Sequence, residues 1–344
     1  EFSLGEIRRS QKAFPSYWKS SESNMDSGEE GHEFDDAFKA EFGFTAMEFS
    51  ILVGQVYALG QDQPVPYKRM PRQQLIRELV SNTDISESTV VSFMDGLSLT
   101  EREHFLNPDI GSSKSDIYPW RFNRNLAHVR RPLVSSLSSG DDIIYWGNRH
   151  LLASLWYIIE LVVSGRLKAQ SREMSILIKQ TQQQESEAFN THIYDILSEY
   201  PNMVVKRKIK KFTNVKFGDS LGDLGDIDVL AANTRKERIL LVEVKDFETA
   251  RTPAEFANEI SKLFHEKKGR GSSISRVRRR HTWVEENIEF VAQELGLEYI
   301  QSWEVESVVV TSHELITPYL INSPVNVIPL RRFSEEFLPE WASD

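Results

Sequence analysis

The chain has no cysteine, which excludes disulfides and thiolate metal sites. It also lacks any uninterrupted apolar run of the roughly 18 residues that a membrane helix needs. The nearest approach, "LLASLWYIIELVVSG" at 151–165, is too short, carries Glu160 and reads as a buried core helix. No secretory leader is visible, so the expectation is a cytoplasmic protein with no membrane partner. Nor is there an excess of basic charge. The formal net charge is −10, which argues against a protein that coats nucleic acid non-specifically. What is there, 40% hydrophobic and 27% charged residues over 344 positions, suits a soluble globular protein with room for two domains, each burying its own core. The first residue is Glu1 and not methionine, so the N-terminal residues carry little weight.

Basic charge is gathered late in the chain. "VVKRKIKKF" supplies Lys206, Arg207, Lys208, Lys210 and Lys211. Lys267, Lys268, Arg270, Arg276, Arg278, Arg279 and Arg280 then lead to His281 with no acid among them. A positive face on an acidic protein suits a site that engages phosphates, and the plainer alternative is a pair of solvated faces. Lys208, Lys210, Arg276, Arg279 and Arg280 are the candidate nucleic-acid contacts.

Residues 1–32 are polar, and "SSESNMDSGEEGHE" reads as a flexible linker. A mostly helical domain is expected over 33–175. It opens with two helices between Phe34 and Leu59, broken near Gly43, followed by the proline-punctuated connection "QDQPVPYKRMP". "RQQLIRELVSNTDISESTVVSFMDGLSL" at 72–99 reads as helix, turn, helix, with Ser86 as N-cap. It resembles a helix-turn-helix or winged-helix unit, with wing-like strands in "DIYPWRFNRNLAHVRRPLV" and "DDIIYWGNRH". The second helix offers Ser86, Glu87, Ser88, Thr89, Ser92 and Asp95 and no lysine or arginine, so a structural or protein-contact role is favoured over DNA reading.

A composition shift near "SREMSILIKQTQQQESEAF" places the domain boundary at 170–182, and the second domain is taken as 176–344. Its elements read helix 183–199, strands 203–212, 226–232 and 238–245, helix 253–266, a Gly/Ser loop, a long helix 274–295, strand 304–311, a short helix and strand 325–329. That order indicates an α/β domain built on a mixed sheet. Thr252, Pro253 and Glu255 fit the N-cap, first position and third position of a capping box.

The chemistry is concentrated in "GDIDVLAANTRKERILLVEVKDF", residues 225–247. Alternate strand residues share a face, so Ile239, Leu241, Glu243 and Lys245 stand together while Leu240, Val242 and Val244 take the opposite, apolar face. Pairing through the turn at 233–237 brings Asp228 beside Glu243. Two neighbouring carboxylates repel unless a cation lies between them, and hard oxygen donors without histidine or cysteine favour Mg²⁺, with Mn²⁺ able to substitute. Lys245 can orient the attacking water and offset charge growing on a phosphate. Asp226 shares a side with Asp228, although stabilising the turn after Gly225 is its favoured role. His281 and Trp283 could form a second site or a stacking platform, but packing in a helix interface is the commoner use of such a pair.

An Asp, a spacer and Glu-x-Lys on a hairpin are similar to the signature of the PD-(D/E)xK, or restriction-endonuclease-like, nuclease superfamily, and "GDIDVLAANTRKERILLVEVK" is close to the Holliday-junction-resolvase-like form. The resemblance spans roughly 183–330 and implies an αβββαβ core. It also implies metal binding by Asp228 and Glu243, a catalytic Lys245, and a further acid from the first helix, with Glu187 preferred and Glu185 the alternative. The naming proline is missing, and Asp246, Phe247 and Glu248 follow Lys245 where the RecB-like branch carries glutamine and tyrosine, so the subfamily stays open. The implied function is a Mg²⁺-dependent deoxyribonuclease, an endonuclease in preference to an exonuclease, serving prokaryotic genome defence or mobile elements. Cutting both strands calls for a homodimer, or for a partner protein recruited by the N-terminal domain. The rival expectation is a noncatalytic nucleic-acid-binding or protein-interaction module on the same scaffold.

Overall fold

The computed structural model describes residues 30–342 apart from 62–66, 103, 105, 109–111, 119–123, 137–141, 213–216, 220–221, 248, 251, 266–270 and 298–302. Lys267, Lys268, Arg270, Glu248 and nearly all of the 1–32 segment therefore lie outside the described residues. Contacts divide the chain into two units, 1–183 and 184–344.

The first unit opens with α1 (Glu30–Phe42), turns at Gly43 with φ +84, and continues in α2 (Ala46–Leu59). Thr45 and Glu48 form the capping box of α2, Glu48 N donating to Thr45 Oγ1 at 3.1 Å and Thr45 N to Glu48 Oε2 at 2.7 Å. Next come β1 (Lys68–Pro71), α3 (Arg72–Asn82), α4 (Glu87–Leu97), β2 (Ser98–Leu99), β3 (Leu133–Ser136), β4 (Ile143–Trp146) and α5 (Asn148–Val163). The sheet order is β1-β4-β3-β2. β1, between α2 and α3, pairs with β4, the second strand of the β3–β4 hairpin, which together with α2, α3 and α4 makes a winged-helix-like arrangement. Phe38, Phe44, Phe49, Leu75, Leu79 and Phe93 are fully buried at its centre.

β1 falls in the stretch that reads in sequence as an irregular connection. Its four residues are strand only because they pair with β4, Lys68 to Trp146 through Pro71 to Ile143, a long-range contact that local propensity does not show. Ser86 caps α4 by accepting from Thr89 N at 3.2 Å. The face that α4 would offer to a groove carries Glu87 and Ser88 exposed, and Asp95 there pairs with Arg72 at 2.7 Å, so it presents no positive charge of its own.

Among the described residues, the second unit is built on a five-stranded mixed sheet. It is entered by α6 (Arg172–Ser198), which starts well before the expected position 183 because "KQTQQQESE" is rich in good helix formers. The division of the chain falls after Gln183 because Met174 and Ile178, in the first turns of α6, belong to the first unit's core. The order continues with β5 (Met203–Ile209), a small hairpin of β6 (Gly218–Asp219) and β7 (Gly222–Asp223), β8 (Ile227–Asn233) and β9 (Arg238–Lys245). After α7 (Pro253–Leu263), the expected 22-residue helix is two helices, α8 (Ser273–Glu286) and α9 (Ile288–Leu295), broken where Asn287 takes φ −124, ψ 35. β10 (Glu304–Thr311), α10 (Thr317–Leu320), β11 (Asn326–Pro329) and a run of helical turns from Leu330 to Ala342 finish the unit.

β5, β8 and β9 are antiparallel neighbours, whereas β9, β10 and β11 run parallel. One face of the sheet packs Leu230, Ala232, Ile239 and Leu241 against Val277, Trp283 and Val284 of α8. The other packs Val229, Ala231, Leu240, Val242 and Val244 against Ile193 and Leu197 of α6 and Phe333, Leu338 and Trp341. The period-two pattern of β9 is therefore the pattern of two buried faces.

Candidate active site

The β8–β9 hairpin sets the register on which the site depends. Asn233 is buried, and its Oδ1 accepts from Arg235 N and Lys236 N, both at 3.1 Å, which closes the turn. Asn233 then faces Arg238, and the ladder runs back to Val229 opposite Val242. One step further, Asp228 comes opposite Glu243 on the α8 face. There the backbone ladder stops, and Asp228 Oδ2 accepts the Val244 N–H at 2.8 Å in place of a strand carbonyl.

Glu243 is 2% exposed, at the base of the site. Lys245 Nζ lies 2.7 Å from its Oε1, 3.2 Å from the Val244 carbonyl oxygen and 4.0 Å from Asp228 Oδ2. One ammonium thus sits among three oxygen acceptors. The other oxygen of Glu243, Oε2, accepts from Arg280 Nη1. Arg280 also donates through Nε to the Leu224 carbonyl at 2.9 Å, tying α8 to the turn that leads into β8. Gly225 has φ +72, and a Cβ there would stand 3.2 Å from Arg280 Nη2. Gly225→Ala therefore combines left-handed strain with crowding of the guanidinium and is expected to cost about 1–2 kcal/mol. Chemical denaturation of the two proteins side by side reads that difference, and equal stability would show that the turn does not seat Arg280.

The two acids are held in opposite directions. Burial first, and the charge of Glu243 second, push the Asp228 carboxyl up to about 6, and Lys245 and the Val244 N–H only partly offset this. Burial also acts to raise Glu243, but Lys245 and Arg280 together outweigh it and hold the group below its ordinary value. Asp228 thus binds a proton more tightly folded than unfolded, and its ionisation lowers stability as pH rises through its folded value of about 6. Asp228→Asn, which keeps an acceptor for Val244 N–H, is expected to raise Tm at about pH 8, with the gain fading toward about pH 4. Melting curves across that range test it, and a variant less stable at every pH would contradict the assignment.

The candidate helix acid Glu187 has its carboxylate engaged by Arg207 at 3.3 Å and by Lys208, which itself takes a left-handed φ of +55. Glu185 is exposed. Among the described residues, no group of three or more His, Cys, Asp or Glu side chains is placed to hold a metal ion. The local donor set is two carboxylates and one main-chain carbonyl around a single cation. It fits Mg²⁺ or Mn²⁺, which bind through one or two carboxylates and take remaining ligands from water and phosphate.

Arg280 requires a correction. Sequence counts it with Arg276 and Arg279 among the candidate nucleic-acid contacts, yet it is 4% exposed and bound to Glu243, so it is not a surface contact for phosphate. The signal was present: 277, 280 and 284 lie at helical spacing on one face, and Val277 and Val284 are buried. Lys208 and Lys210 are exposed, and Lys210 stands 3.9 Å from Asp226. Asp226 is exposed, and in the turn that precedes it Asp223 Oδ1 accepts from Gly225 N at 2.8 Å. Arg276 and Arg279 are half-buried on α8. Trp283 is core, its ring centroid 4.8 Å from both Phe212 and Phe217, and His281 Nδ1 is paired with Ser307 Oγ at 2.9 Å.

No described single helix is long and apolar enough to cross a membrane. No curated protein matches the chain, and no solved structure does. A family model described as "Upx-like: Anti-phage protein Upx-like" matches residues 9–319, which takes in the winged-helix-like unit and the strands carrying Asp228, Glu243 and Lys245 and stops before β11. This chain belongs to the Upx-like family of anti-phage proteins.

Proposed function

We propose that the chain is a divalent-metal-dependent deoxyribonuclease of the PD-(D/E)xK kind, acting as the cutting component of an anti-phage defence. The observation that carries this reading is the single ammonium of Lys245 set among Asp228, Glu243 and the Val244 carbonyl, on paired strands, over a buried carboxylate. Three oxygens arranged around one cation are a cradle for positive charge. Asp228 and Glu243 would hold Mg²⁺, or Mn²⁺ in its place, with the Val244 carbonyl as a third donor. When bound, the ion supplies Lewis-acid polarisation of a phosphoryl oxygen. Lys245 then serves the phosphate side, donating to the attacking water or to a non-bridging oxygen as negative charge grows there. Exposed Lys208 and Lys210 on and beyond β5 supply positive charge for the nucleic-acid backbone. Membership of an anti-phage family favours invading DNA as substrate. Cutting both strands of a duplex favours an endonuclease working as a homodimer.

A noncatalytic reading is favoured by one observation: Asp228 and Glu243 are matched in number by Lys245 and Arg280, so the cluster can stand without an ion. Incubation of the purified protein with plasmid, single-stranded DNA and RNA in Mg²⁺, Mn²⁺ or EDTA separates the two. Cleavage in either metal that EDTA abolishes is expected. Retardation of nucleic acid without cutting under any condition would support the binding module instead.

A further inference from the structure

We infer that Arg280 is a built-in second cation of this site, so that the site takes one divalent ion per chain and not two; this rests on the metal-dependent reading above. The two oxygens of Glu243 differ in kind. Oε1 meets Lys245, whose side chain is 27% exposed and can withdraw toward solvent. Oε2 meets Arg280, which is buried and held by a second bond to the Leu224 carbonyl, beneath a glycine turn that leaves no room for a Cβ without crowding it. One oxygen is exchangeable and the other is permanently taken.

A two-metal centre holds its ions about 3.5–4 Å apart and needs enough oxygen ligands to serve both. With Oε2 held by Arg280, too few ligands remain for a second ion. Glu187 is engaged by Arg207 and Lys208, and among the described residues no third acidic or histidine side chain joins Asp228 and Glu243. Charge gives the same count. With Arg280 fixed and Lys245 turned to the phosphate, the two cations balance Asp228 and Glu243, and one divalent ion together with one phosphodiester brings the total to one positive charge. A second divalent ion would leave three positive charges in a partly buried site, which is costly.

Calorimetric titration of the full chain with Mn²⁺, without nucleic acid, reads the stoichiometry directly. One equivalent per chain is expected for the wild type, at least tenfold weaker binding for Asp228→Asn, and a second equivalent for Arg280→Gln, where Oε2 is released. Should Arg280→Gln fail to fold, Arg280→Lys keeps a positive charge on the helix and is expected to hold the count at one. Two equivalents in the wild type, or one equivalent in both the wild type and folded Arg280→Gln, would overturn the role of Arg280 while leaving the nuclease proposal standing. No Mn²⁺ binding by the folded wild type would remove the metal-dependent proposal itself.

Discussion

Lys245→Ala is expected to lower Mg²⁺-dependent cleavage by about 10²–10³-fold, the loss that follows removal of one preorganised donor from a developing negative charge. The fold should survive the change. Lys245 is partly exposed, and Glu243 keeps Arg280 as its counter-ion when the ammonium is gone. Glu243→Gln is expected to cost at least as much activity, since it removes the buried charge on which the cation cradle depends. In bacteria expressing the chain, Lys245→Ala should lose protection against phage while the protein accumulates normally. Plaque counts and cleavage rates read on matched, folded samples test both. Full cutting by Lys245→Ala would remove this lysine from the chemistry and leave it as an ion-pair partner of Glu243.

Arg280→Ala is expected to be the most destabilising single change in the site, by about 3–5 kcal/mol, because it leaves a buried carboxylate with one partner in place of two. The Leu224 carbonyl loses its donor as well. A loss of that size is a large fraction of the stability of an ordinary domain. Replacing both members, Arg280→Met with Glu243→Met, is expected to recover much of the loss, since an apolar pair avoids the cost of burying charge. Urea denaturation of the single and double variants measures both. A single variant as stable as the wild type would show that Arg280 does not neutralise Glu243.

Legibility in the sequence followed the range of the interaction. The alternation of "ILLVEVK" showed both faces of β9, and Thr252, Pro253 and Glu255 showed where α7 begins, because both depend on residues a few positions apart. The pairing of Asp228 with Glu243 was readable because a short hairpin fixes its own register. β1 was not readable, since it exists only through β4 some seventy-five positions away. The break at Asn287 was hidden because the apolar positions Val284, Ile288 and Val291 continue a helical rhythm across it. Arg280 was missed for a different reason. Three consecutive arginines read as a surface face turned to phosphate or to water, and the partner that draws the third one inside lies 37 positions away on a strand. The first-helix acid came from the resemblance, and spacing within the helix could not decide between Glu187 and Glu185. In the structure the surroundings of Glu187 are set by Arg207 and Lys208 of β5, which helix spacing cannot report.

The most direct test is a crystal structure of the chain bound to a short DNA duplex and Mn²⁺, located by its anomalous scattering. A single Mn²⁺ touching Asp228 and Glu243, with a phosphate of the duplex at the same ion and Lys245 turned toward it, is the expected result. A duplex bound elsewhere, with Lys245 still paired to Glu243 and no anomalous signal between the acids, would contradict it.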